Sequence, residues 1–153
     1  FFSAIDAGNA SGSCSSAGGT SIGRLPWKSL GVDRLRDAQG ETLWYAVSDK
    51  FRNPNLNSAA INSDTKGSLL LYAADGSTLS TPAGEELAAV IFAPGPPLSG
   101  QDRGALPNAA SSYLDAFDGK NNANAAGPFV MGPVKDASGN VLVNDLAIGI
   151  TAR

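Results

Sequence analysis

The chain has 153 residues, 42% of them hydrophobic, with 11 basic and 14 acidic side chains and a formal net charge of −3. That length gives one domain with a real core, roughly two-thirds of the unfolded surface being buried, and the apolar content excludes disorder. The acidic balance argues against a nucleic-acid partner, which needs a basic patch, and the absence of histidine removes the commonest general base and the commonest neutral metal ligand together.

The chain is poor in charge and rich in Gly, Ala, Ser and Asn, which suits a loop-rich extracellular domain better than a helical cytosolic enzyme. Its single cysteine, Cys14, has no internal disulfide partner. In a secreted chain an odd cysteine points to a missing partner or a free thiol. No run approaches the ~20 apolar residues of a membrane helix. With no initiating Met and no signal peptide, the reading expects a processed piece with something removed upstream of Phe1.

Residues 1–22 are Ser/Gly/Ala-rich and read as an N-terminal loop segment, held through Phe1, Phe2 and Ile5. Residues 23–153 read as one globular unit. The chain is organised around Gly23 to Ser48, which holds both tryptophans, Trp27 and Trp44, and turn chemistry over Asp37–Gly40. Leu43, Tyr45 and Val47 alternate with Trp44, Ala46 and Ser48, the period of a strand. Residues 49–67 read as a surface loop, in preference to one weak helical turn over Leu56, Ala59 and Ala60.

Ser68 to Ala74 and Glu86 to Ala93 are short apolar runs closed by Asp75-Gly76 and by Pro94-Gly95-Pro96-Pro97, so strands are expected. Their near-continuous apolarity implies burial on both faces or a central place in the sheet. A short helix is expected over Asn108 to Phe117, with Asn108 as its N-cap and Tyr113, Leu114 and Phe117 as its apolar side. Pro128 to Met131 reads as an edge strand. Asp136 to Asn140 reads as a hairpin turn. Val141 to Ile150 gives a last strand with an irregularity at Asn144-Asp145. The fold class read from these elements is α+β, a mostly antiparallel sheet of about five strands with one or two short helices.

Chemistry is thinly signalled. Without histidine, Ser-His-Asp and Cys-His arrangements are excluded inside this chain, and no spaced motif supports a Ser-Lys pair at Lys28-Ser29. Glu85, Glu86, Asp102, Asp115 and Asp118 supply carboxylates, but nothing in the sequence selects a pair for glycoside hydrolysis. No phosphate-cradling glycine motif sits in a strand–turn–helix setting. Only hard oxygen ligands are present, so calcium is the one ion to weigh. Asp115, Asp118, Asn121, Asn122 and Asn124 are dense enough to notice, yet they read better as a turn. No cofactor and no catalytic residue is expected. Trp27, Trp44, Tyr45 and Phe92 are read as structural anchors, and Arg103 as a half-buried arginine tying loops through backbone carbonyls.

Five segments together carry a resemblance: GRLPWKSLGV with RDAQGETLWYAVS, AAVIFAPGPPLSGQDR, SYLD, FVMGP and VNDLAIGITAR. They are similar to the soluble part of type IV pilin-like proteins, in a subgroup with a Leu-Pro-Trp-x-x-Leu-Gly loop. The Asp-x-x-Gly turn resembles the Asp-Pro-Trp-Gly-Asn turn of major pseudopilins, with Ala38-Gln39 and Glu41 departing from it. The resemblance implies a headgroup whose sheet packs on a long N-terminal helix, here lacking that helix. It implies that Cys14 pairs with a cysteine upstream. It further implies a structural subunit of a pilus or pseudopilus-like filament, extracellular or periplasmic, packing with other pilin subunits or a separate helix-bearing chain. The competing expectations are an adhesin-like binding module using Trp27, Tyr45 and the Asn-rich loops, and a carboxylate enzyme. Without the helix, one sheet face is expected to lie bare and apolar.

Overall fold

Trp44 and Ala46 point one way and Tyr45 and Val47 the other, and this alternation organises the molecule. The computed structural model describes residues 8–9, 20–51, 61, 64–104 and 109–152. Cys14, the apolar cluster of Phe1, Phe2 and Ile5, the weak turn at 56–60 and the expected N-cap Asn108 lie outside the described residues. The strands are β1 (Ser21–Arg24), β2 (Trp44–Val47), β3 (Leu71–Tyr72), β4 (Ala89–Ala93), β5 (Ala116–Phe117), β6 (Lys120–Asn121), β7 (Phe129–Val130), β8 (Val134–Lys135), β9 (Val141–Val143) and β10 (Leu146–Ile150).

Four of these strands form one antiparallel sheet in the order β1-β2-β4-β10. The remainder form three two-stranded ladders, β3-β7, β5-β6 and β8-β9. The first of these is parallel, with Leu71 opposite Phe129. The β8-β9 hairpin turns through Asp136–Asn140, where Gly139 takes a positive φ of 85° and the Asp136 carboxylate accepts the amides of Ser138 and Asn140.

The core lies on one face of the four-stranded sheet. Trp44, Ala46, Val90, Phe92 and Ala147 point inward there and pack under Leu69, Leu71, Leu87, Tyr113, Leu114 and Phe129. Phe92 meets Phe129 edge-on, with ring centroids 5.2 Å apart, and Trp44 meets Tyr113 at 5.4 Å, both favourable aromatic geometries. Val130, Val134 and Val143, with Phe117, make a second small cluster. The layer over the sheet is loop and short ladder, and backbone passes very close to backbone in it. A Cβ on Gly67 would fall 1.9 Å from the carbonyl oxygen of Leu87, so only glycine fits.

The expected α+β class is overturned, and with it the headgroup arrangement of one sheet of about five strands with one or two short helices. No helix reaches seven residues among the described residues, and the sheets are small and fragmented. Two 3₁₀ turns, Asp49–Phe51 and Ala110–Ser112, are the helical elements there.

The physical reason is visible at the expected helix over 108–117. Leu114 N–H does bond back to Ala110 O at 2.8 Å, one α-type turn. The next amide, Asp115 N–H, leaves the pattern and bonds the Asp145 carboxylate at 2.7 Å. A side-chain bond to a residue 30 positions away replaces the bond that would have continued the helix. Ala116 and Phe117 then pair with Lys120 and Asn121 as strand.

Candidate functional site

The outer face of the four-stranded sheet follows from its register. In an antiparallel pair, residues directly opposite share a face. Leu146, Ile148 and Ile150 of β10 therefore stand beside Ala93, Ile91 and Ala89 of β4. Ile91 and Ala89 stand beside Tyr45 and Val47 of β2, and these beside Gly23 and Ser21 of β1. No charged residue falls in this set. Leu146 is 57% exposed, Ile148 68% and Ile150 42%, whereas Ala147 between them is buried in the core.

The β4 row between those of β10 and β2 has Ile91 at its centre, with alanines at 89 and 93. Single exposed apolar residues are ordinary; here three, Leu146, Ile148 and Ile150, stand in one uncharged row along β10. β10 is also the last strand of its sheet. It carries none of the Lys, Glu or Pro residues that guard exposed edges.

A buried polar hub fixes where β10 begins. Asp145 is fully buried. Its Oδ2 accepts from Asp115 N–H at 2.7 Å and from Asn122 Nδ2 at 2.9 Å. The Asp115 carboxylate returns the contact, with Oδ2 accepting Asn144 N–H at 2.8 Å and Oδ1 accepting Gln101 Nε2 at 2.8 Å. Asn122, also fully buried, both donates to Val130 O and accepts Val130 N–H, each at 2.9 Å.

Asp145 Oδ1 has no partner. Burial is the largest influence on the Asp145 carboxyl and the Asp115 charge the next; together they push it up from 3.8 to about 7. Burial likewise raises Asp115. The hub thus joins the 112–116 segment, the 121–122 corner and the start of β10. Asp145 is sealed from solvent, so the pair cannot present two carboxylates to a bond in water as glycoside hydrolysis requires.

The anchors read from sequence fall as follows. Trp44 and Phe92 lie in the core. Tyr45 lies on the outer sheet face, half-buried. Trp27 is half-buried; a Cβ on Gly8 would lie 2.4 Å from its indole ring, and Lys28 Nζ sits 5.2 Å from the ring centroid. Arg103 donates to Ser112 O at 3.1 Å and Gly95 O at 3.0 Å. It also pairs with Glu41 at 3.3 Å and stacks 4.8 Å from the centre of Tyr113. Arg24 covers the same ring at 4.6 Å. Cys14 lies outside the described residues.

The remaining candidate carboxylates do not converge. Asp102 accepts Gly104 N–H, Asp118 pairs with Lys120 at 2.8 Å, and Glu85 and Glu86 line a shallow hollow with Lys66, Gly84, Thr151 and Ala152. Asn121 and Asn124 each accept an amide two residues on, from Ala123 and Ala126. Asp115 instead lines a second hollow, with Gln101, Ser111, Leu114 and Leu142 on its wall. Among the described residues no group of three or more His, Cys, Asp or Glu is placed to hold a metal ion.

Two features escaped the sequence reading. Asp145 showed only as an irregularity in an apolar run. Arg24, Arg34 and Arg36 converge near Thr42: Arg34 Nε donates to Thr42 Oγ1 at 2.7 Å, Arg36 bridges Thr42, and Arg24 pairs with Trp44. Comparison with known proteins finds no matching family model, no matching curated protein and no matching solved structure.

Proposed function

We propose that this chain is a structural subunit of a type IV pilus-like or pseudopilus-like filament outside the inner membrane, assembled by packing with other pilin chains. The observation that carries the reading is the uncharged outer face of the four-stranded sheet, half-buried over β2 and β4 and open along β10, where Ile148 is 68% exposed. The resemblance of the Leu-Pro-Trp, Val-Ile-Phe-Ala-Pro-Gly and Gly-Gln-Asp-Arg segments to pilin-like proteins supports it from the sequence side.

The dimensions of the face favour a helix-bearing chain as its occupant. Four strands about 4.8 Å apart and five residues at about 3.4 Å each give a face of roughly 19 by 17 Å. One helix about 10 Å wide covers about half of that in about three turns.

The test is Ile148→Asp. The residue touches solvent, so the isolated chain should unfold within about 0.5 kcal/mol of the parent. Incorporation into fibres, read by immunogold labelling of cells carrying either version, should fall sharply. Equal labelling of both versions, or no fibre that carries the parent chain, would remove the proposal.

A further inference from the structure

We infer that copies of this chain meet head to tail, the Arg34–Arg36 pair at one end of the four-stranded sheet seating on the Glu85–Glu86 hollow at the opposite end of the next copy. The inference rests on the filament reading above and adds to it a second, electrostatic contact between subunits.

The two patches lie at opposite ends of the same strands. Arg36 bridges Thr42 and Arg34 donates to Thr42 Oγ1, both just before β2 begins. Glu86 precedes β4, whose first residue, Ala89, pairs with Val47 at the far end of β2 and with Ile150 at the end of β10. The hollow formed by Glu85 and Glu86 includes Thr151 and Ala152, directly after β10. From Thr42 to Val47 is about 17 Å of strand.

The cationic end is held together against its own repulsion. Arg34 uses Nε on Thr42, and Arg36 uses one terminal nitrogen on Gly40 O. Their other guanidinium nitrogens have no partner among the described residues, and both side chains are exposed. Burial first, then the Arg36 and Arg24 charges, push the Arg34 guanidinium below its ordinary value, with Glu41 opposing. Glu41 is already engaged with Arg103. Asp37, in the same loop, has its carboxylate taken up by the amides of Gln39, Glu41 and Gly95. A carboxylate pair from outside relieves this repulsion and matches the fork geometry of arginine.

The acidic end is concave, with Lys66, Gly84, Thr151 and Ala152 around the two glutamates. A contact between two different ends of one molecule is heterologous and does not close on itself. Repeated, it makes a line rather than a dimer. That distinguishes it from symmetric self-pairing through the β10 edge.

The experiment uses sedimentation velocity of the chain at low and high salt. The parent should associate at low salt and dissociate at high salt, where exposed charges are screened. Arg34→Glu with Arg36→Glu gives a copy acidic at both ends, and Glu85→Lys with Glu86→Lys a copy basic at both ends. Each alone should lose association by tenfold or more, on the order expected for reversed charges at a contact. An equal mixture of the two should recover association at low salt, in alternation, which a mere folding defect cannot produce. A parent that stays monomeric at low salt, a reversed copy that associates like the parent, or a mixture that stays monomeric each overturns the inference. Failure here leaves the apolar face untouched, since Ile148→Asp in fibres reads that contact separately and without salt dependence.

Discussion

Asp145 makes the stability of this protein fall as pH rises across the mildly acidic range. Its carboxyl is driven up from 3.8 to about 7, by burial first and by Asp115 second. In the unfolded chain the group ionises near its ordinary value. Between those two values the folded chain binds a proton that the unfolded chain has lost, so stability declines with increasing pH. Below the lower value both states are protonated and above the upper value both are ionised, and the effect levels off. A shift of about three units corresponds to roughly 4 kcal/mol across the window, at 1.36 kcal/mol per unit.

Burial raises Asp115 as well, which adds to the decline in the same direction. The opposing groups, Asp75 lowered to about 2 by its bonds to Thr78 and Asp136 lowered by its bonds to Asn140, act below that window. Urea midpoints taken at intervals from about pH 4.5 to about pH 7.5 should therefore fall. Asp145→Asn keeps one acceptor oxygen for the Asp115 amide and carries no charge. It should flatten most of the slope, being weaker than the parent near the acidic end and equal or stronger near the other. Midpoints that rise with pH in the parent, or a slope unchanged in Asp145→Asn, refute the reasoning.

The close approach at Gly67 gives a second prediction. Gly67→Ala forces a methyl group into the Leu87 carbonyl at 1.9 Å and Ala88 N at 2.6 Å; these are backbone atoms, so thermal unfolding should show a loss of about 3 kcal/mol or more, beyond ordinary overpacking. Arg103→Ala removes the bonds to Ser112 O and Gly95 O and the stack on Tyr113. It should lower stability by about 2–3 kcal/mol, whereas Arg103→Lys should recover less than half, because an ammonium cannot reproduce the planar fork.

The parts of the fold that were legible in the sequence are those set by local chemistry. β2 shows its alternation of Trp44, Ala46 and their neighbours directly, and the β8-β9 turn shows its Asp-x-x-Gly-Asn pattern. Gly40 and Gly139 take the positive φ values, 83° and 85°, that such turns need. What was not legible is set by partners far along the chain. The 108–117 segment has the apolar spacing of a helix, but its Asp115 amide is claimed by Asp145. The same clamp splits the last apolar run at Asn144-Asp145, so one expected strand becomes β9 and β10 in different sheets. Arg24 ends β1, whereas Arg34 and Arg36 lie in a loop that also holds Asp33 and Asp37, so their convergence near Thr42 had no signature in charge count.

The apolar run from Leu87 to Ala93 bears on the wider reading. Continuous apolarity implies cover on both faces of a strand. Val90 and Phe92 have that cover and are fully buried, whereas Ile91 between them is only half-buried and faces Ile148 at 68% exposure. Inside a single copy, then, β4 has the composition of a central strand and the environment of a one-sided one. The mismatch is confined to the outer face and continues across three strands, through Leu146, Ile148, Ile150 and Tyr45. If that face served only to meet water, polar residues at 91 and 148 would carry no penalty. Its composition fits a surface finished by another chain. For that reason Ile148→Asp should leave the isolated protein intact and keep it out of the proposed filament.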